Sequence, residues 1–109
     1  MVTASETRQA RGLPQAAEVT SFRMKPGIAA KQAVEAGRDI DAWLRQQPGF
    51  VSRLMISNAD GSITDIVVWR SERHGQNSSR RLMAETAFSP FHAMVDGKSV
   101  DWRFAAVLI

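Results

Sequence analysis

The chain has no cysteine. That absence excludes a disulfide framework, an iron–sulfur cluster, thiolate zinc ligation and a thiol nucleophile together, and it accords with a reducing compartment. Long apolar runs are missing too. No segment approaches the ~18 apolar residues of a membrane span, and the N-terminal MVTASETRQARGLPQAAEV lacks the hydrophobic stretch of a secretory signal. The expectation is a soluble cytoplasmic protein with no membrane contact. Charge of one sign is nowhere concentrated. The net charge is +3 with an isoelectric point of about 10.2, but the basic residues are interleaved with eleven acids. That describes a mixed solvated surface, and no nucleic-acid partner is expected. Histidine is scarce: His74 and His92 stand alone and far apart, without metal-ligand spacing, so no protein-held metal is expected.

What is present suits one small domain of 109 residues, 44% of them hydrophobic. Residues 1–15, rich in Ala, Ser, Thr, Arg and Gln without periodicity, read as a flexible arm, leaving 16–109 as a single domain. EVTSFRM alternates as a strand until Lys25-Pro26-Gly27 ends it. Between Ile28 and Gln47, Ala30, Ala33, Val34, Gly37, Ile40 and Leu44 form one helical stripe, with Lys31/Glu35 and Asp41/Arg45 on the wet side. Gly37 inside that stripe implies close packing against a sheet. Pro48-Gly49 stops the helix.

FVSRLMISN and SITDIVVWR, joined at Ala59-Asp60-Gly61, predict an antiparallel hairpin. Ser71 to Ala87 favours a second helix, although its HGQNSS portion is a poor helix former and reads equally as loop. In SPFHAM, Ser89 suits an N-cap and Pro90 a first helical position, so a short helix runs to about Val95 and ends at Asp96-Gly97. VDWRFAAVLI closes the chain as a long strand. The order β-α-β-β-α-β is the ferredoxin-like α+β plan, a four-stranded antiparallel sheet with helices on one face. Ile63, Val67 and Trp69 alternate with Ile66 and Val68, so both sheet faces are apolar and one stays uncovered. A homodimer joined sheet to sheet resolves this.

The segments QQPGFVSRLM, DGSITDIVVWRS and FSPFHAMVD resemble the dimeric α+β barrel superfamily and, within it, the antibiotic biosynthesis monooxygenase-like group, over roughly residues 18–109. SFRMKPG is also similar to the stress-responsive barrel proteins of that superfamily. The resemblance implies a dimeric barrel with a pocket between sheet and helices. It further implies oxygenation of an aromatic or quinol-type molecule by O₂ without a bound cofactor. Phe22, Met24, Trp69, Phe88, Phe91, Trp102 and Phe104 are the expected pocket walls. In the haem-degrading branch a helix histidine lies four residues after a phenylalanine and near a strand tryptophan, as His92 does relative to Phe88 and Trp69. The first-strand asparagine of that branch is absent, the region reading Val19-Thr20-Ser21-Phe22.

Two residues are candidates for catalysis. Asp65 shares a strand face with Ile63, Val67 and Trp69. Under helices it would be a carboxylate among apolar side chains, suited to a general base; alternatively it pairs with Arg53 or Arg103 on a neighbouring strand, or sits near an exposed sheet edge. His92 is a proton-transfer group, a haem ligand, or a locally bonded surface histidine. A non-catalytic ligand-binding or structural barrel accounts for the same pattern. Other strings carry nothing: Gly97-Lys98-Ser99 lacks the first glycine of a P-loop, Asn77-Ser78-Ser79 lacks a secretory context, and no G-x-S-x-G elbow occurs.

Overall fold

The computed structural model describes residues 14–109, so the expected arm over 1–15 lies almost wholly outside the described residues. Four strands form one antiparallel sheet in the order β2-β3-β1-β4. They are β1 (Ala16–Met24), β2 (Phe50–Ser57), β3 (Ile63–Trp69) and β4 (Val95–Ala106). Helices α1 (Ala30–Ala36) and α2 (Arg38–Arg45) connect β1 to β2, and α3 (Glu72–Glu85) with the single turn α4 (Phe91–Met94) connects β3 to β4. This is the ferredoxin-like plan expected from the alternation of strand and helix signals, with each helical connection made of two pieces.

Strand register sorts the side chains into rows. On the helix-covered face, Arg53, Val67, Glu18 and Phe104 stand abreast, and the next row is Met55, Asp65, Thr20 and Trp102. On the opposite face the corresponding row is Leu54, Ile66, Val19 and Arg103. Because side chains alternate along a strand, β3 has apolar residues on both faces as expected, but the covered face also carries Arg53, Glu18, Thr20 and Asp65. Leu54 is 58% exposed and Ile56 41%. The hairpin between β2 and β3 closes as predicted, with Gly61 at φ +89° and Asn58 N–H donating to Ser62 O at 2.8 Å.

Several local expectations change. The helix predicted over 28–47 breaks at Gly37, whose N–H donates to Ala33 O at 3.0 Å while its O accepts from Asp41 N–H at 3.0 Å. A Cβ there would lie 3.2 Å from the Phe91 ring, so the close packing is against α4 and not the sheet. Val34, counted in the stripe, is 51% exposed. Glu35 pairs with Arg38 at 2.8 Å instead of Lys31, whereas Asp41/Arg45 forms as expected at 2.8 Å.

The HGQNSS portion is helical throughout, capped by the Ser71 side chain. Its small residues are the packing face. Gly75 and Ser78 are buried, and a Cβ on Gly75 would lie 2.8 Å from Trp69 Cδ1. Asp96-Gly97 does not form a turn: Val95 at φ −87°, ψ 136° is already extended, so β4 begins at once and ends at Ala106, short of the terminus.

The core has two clusters. Ile40, Leu44, Val67 and Trp69 form one, and Phe22, Ala33 and Ile63 the other. Phe91 packs against both and meets Phe22 edge-on at 5.8 Å.

Candidate functional site

A cavity of about 320 Å³ opens between the sheet and the helices. Its apolar wall comes from Phe22, Ile40, Leu44, Val67, Leu82 and Phe91, and its polar groups from Glu18, Thr20, Arg53, Asp65, Ser78, Ser79 and His92. Both core clusters contribute, so the cavity lies where the sheet and helices fail to close on each other. At 320 Å³ it is at the small end of ligand pockets, roughly 300–1,000 Å³. A groove of about 380 Å³ on the far side of Arg53, beside Arg38 and Asp41, contains none of the expected site residues.

The polar floor follows from register. Arg53 lies one row from Asp65, and its guanidinium forks onto both carboxylate oxygens at 2.9 and 2.7 Å. A third bond, 3.1 Å, goes to Asp41 on α2. Burial works against the Arg53 charge, but the bonds to Asp65 and Asp41 outweigh it and raise its pKa. Asp65 therefore takes the paired arrangement with Arg53. Such a planar, two-toothed contact fixes both side chains.

Glu18, from β1, was not nominated from the sequence. Its Oε1 accepts the indole N–H of Trp69 at 2.9 Å, and its Oε2 accepts that of Trp102 at 2.7 Å. Burial pushes the Glu18 carboxyl above the usual carboxylate range; the two indole bonds pull it down, and the Asp65 charge adds to the rise. The sequence carries part of the signal, since Glu18 shares a strand face with Phe22 and Met24; its place beside Trp69 and Trp102 comes only from the register.

His92 reaches the cavity from α4. Ser89 sets the approach, with its hydroxyl donating to Asp39 Oδ1 at 2.8 Å while its oxygen accepts Phe91 N–H at 3.3 Å. Thr86 Oγ1 donates to Leu82 O at 2.6 Å, so its remaining contact, His92 Nε2 at 2.9 Å, has the imidazole as donor. Neutral His92 then carries its proton on Nε2 and its lone pair on Nδ1. A haem iron would have to break that bond to use Nε2, so this arrangement does not fit ligation through that nitrogen.

Asp65, His92, Phe22 and Phe91 thus converge on one cavity. Met24 packs beside Phe22, Ala33 and Ile63. Trp69 is fully buried behind the cavity and touches it through Glu18. Phe104 packs against Trp69's cluster and meets Trp102 edge-on at 5.4 Å. Trp102 is half exposed. Phe88, expected as a wall, is 98% exposed, because the turn after α3 points it outward.

No family model and no curated protein matches the chain by sequence. Solved structures do match its fold. A putative antibiotic biosynthesis monooxygenase from Chloroflexus aurantiacus J-10-fl superposes with a TM-score of 0.63 at 13% identity, covering 87% of this chain and 94% of that one. A mutant of SnoaB, a cofactor-independent oxygenase from Streptomyces nogalater, gives 0.64 at 20% identity over 88% and 95%. The hydroxynitrile lyase of Passiflora edulis gives 0.63 at 14% identity over 87% and 94%. These identities speak for the fold, which is the one the sequence resemblance implied.

Proposed function

We propose that the cavity binds a small aromatic molecule of quinol or keto–enol type and that the protein promotes its oxygenation by O₂ without a bound cofactor. One observation carries this reading: a cavity with apolar walls has acid–base side chains on its floor and rim, namely Glu18, Asp65 and His92. A cofactor-free reaction needs an electron-rich substrate anion, and the anion needs a proton acceptor. For a ring methylene, the carbanion adds to O₂, and the resulting hydroperoxide loses water to leave a ring carbonyl. The substrate then supplies the four electrons that reduce one O₂ to that carbonyl oxygen and one water. A putative antibiotic biosynthesis monooxygenase and a cofactor-independent oxygenase share the fold in which this cavity lies.

The reading includes a homodimer through the open sheet face, which would take Leu54, Ile56 and Ile66 out of water. The test is oxygen uptake with anthrone, whose methylene is acidic and whose enol is a phenol. Uptake that saturates with anthrone supports the oxygenase, and a fall in Asp65→Asn or His92→Ala, in folded protein with anthrone affinity kept, shows that the residue contributes to turnover. Unchanged turnover in both removes them from the mechanism. Binding without uptake leaves the cavity as a non-catalytic ligand site.

A further inference from the structure

We infer that Glu18 is the group that takes the proton from the cavity's occupant, with the Trp69 and Trp102 indoles holding its carboxylate in place for that step. The inference rests on the aromatic-pocket reading and adds to it the identity of the proton acceptor and the kind of acid it meets: an aromatic carrying an acidic C–H or O–H.

Three acid–base groups reach the cavity, and their bonding separates them. Asp65 has both oxygens on Arg53, at 2.9 and 2.7 Å. Protonating it would break a charge-assisted fork and leave a buried guanidinium with only Asp41 as its carboxylate partner. His92 gives Nε2 to Thr86 and stands on a one-turn helix, on the side of the cavity opposite the sheet. Of the two carboxylates, only Glu18 is bonded solely to neutral partners, and unlike His92 it is held through both of its polar atoms, from the strands on either side of β1.

Those partners are donors that cannot accept. Each indole N–H uses one lone pair of a different oxygen, at 2.9 and 2.7 Å. The carboxylate plane is thereby fixed between a strand on each side of β1, since Trp69 lies on β3 and Trp102 on β4. A second lone pair remains on each oxygen. When Glu18 takes a proton, the O–H cannot point at either indole, so it must lie along one of the remaining directions, and the cavity that Glu18 lines offers one.

Among the charged neighbours, Asp65 is the one that acts on Glu18. Asp65 on β3 disfavours a second negative charge nearby, Arg53 on β2 is already neutralised by two carboxylates, and His92 on α4 faces the same space. From α3 the cavity receives Ser78 and Ser79, which are uncharged. Burial raises the Glu18 pKa, which makes it a stronger proton acceptor than a solvated carboxylate.

The step is a simple transfer. The C–H bond of the occupant breaks, its electron pair stays on the ring as the enolate, and the proton bonds a Glu18 oxygen. No oxidant is needed, so it can be read apart from oxygenation. The experiment is hydrogen–deuterium exchange at the anthrone methylene in D₂O under argon, followed by NMR, alongside binding by calorimetry. Wild-type protein should accelerate exchange over buffer, and Glu18→Gln should lose about 100-fold or more of that acceleration, the low end of general-base contributions, with anthrone affinity within about threefold.

Glu18→Asp, which keeps a carboxylate, should recover part of the rate. Trp102→Phe, which removes one stabilising donor, should move the acid limb of the exchange profile to higher pH. Circular dichroism checks folding of each variant. Exchange in Glu18→Gln equal to wild type, or a wild-type protein that binds anthrone without accelerating exchange, overturns the assignment alone. A wild-type protein that does not bind anthrone overturns the pocket reading, and the assignment with it.

Discussion

A single bidentate contact explains why Asp65 is where it is. Arg53 and Asp65 keep only 9% and 16% of their side-chain surface exposed, so removing one partner strands the other. Arg53→Met should cost about 3 kcal/mol in chemical denaturation, and the double change Arg53→Met/Asp65→Leu should recover most of it. Glu18 makes a different prediction. Its folded pKa is raised by burial, so folding takes up a proton. Its favourable contribution is complete below the unfolded carboxylate pKa, near 4.3, and is lost as pH rises through the higher folded value. Wild-type stability relative to Glu18→Gln should therefore increase as pH falls from neutral through that value, as read by urea melts across pH. Asp65 as a paired residue was among the sequence alternatives. Glu18 was overlooked because an acidic residue near the start of an alternating strand reads as solvent-facing until its register beside Trp69 and Trp102 is known.

At the scale of elements, small residues decide where the helices sit. Gly75 and Ser78 let α3 lie against Trp69 and Phe104, and this is why a segment of weak helix formers is helical. Gly75→Ala gains about 1 kcal/mol of helix propensity in isolation. A Cβ there meets Trp69 at 2.8 Å, so overpacking should win and lower stability by about 1–3 kcal/mol, with a lower thermal midpoint. An unchanged or higher midpoint would show that α3 can shift freely. Strands and the β2–β3 hairpin were legible because alternation and an Asp-Gly turn are local signals. The break at Gly37 was not: the apolar spacing of 28–47 runs on through it, and only the Phe91 ring arriving from elsewhere makes it intelligible.

For the whole molecule, the sheet has one face under helices and one face carrying the Leu54, Ile66 and Val19 row in the open. The fold class was readable from element order and its resemblance from three short segments. Which residues meet in the cavity depended on register, which sequence periodicity does not give across strands. If chains pair through the open face, sedimentation should show a species of twice the 12.0 kDa chain mass, and Leu54→Glu with Ile66→Glu should return it to a monomer. A monomer in the wild type at micromolar concentration would contradict the pairing.

The cavity itself is tested most directly by calorimetric titration of anthrone into wild-type protein and into Ser79→Phe, a change that places a ring in the cavity from α3. The expected result is one molecule bound per chain in the wild type and none in Ser79→Phe, with both proteins folded. No binding to the wild type, or equal binding to both, would contradict an aromatic site between sheet and helices.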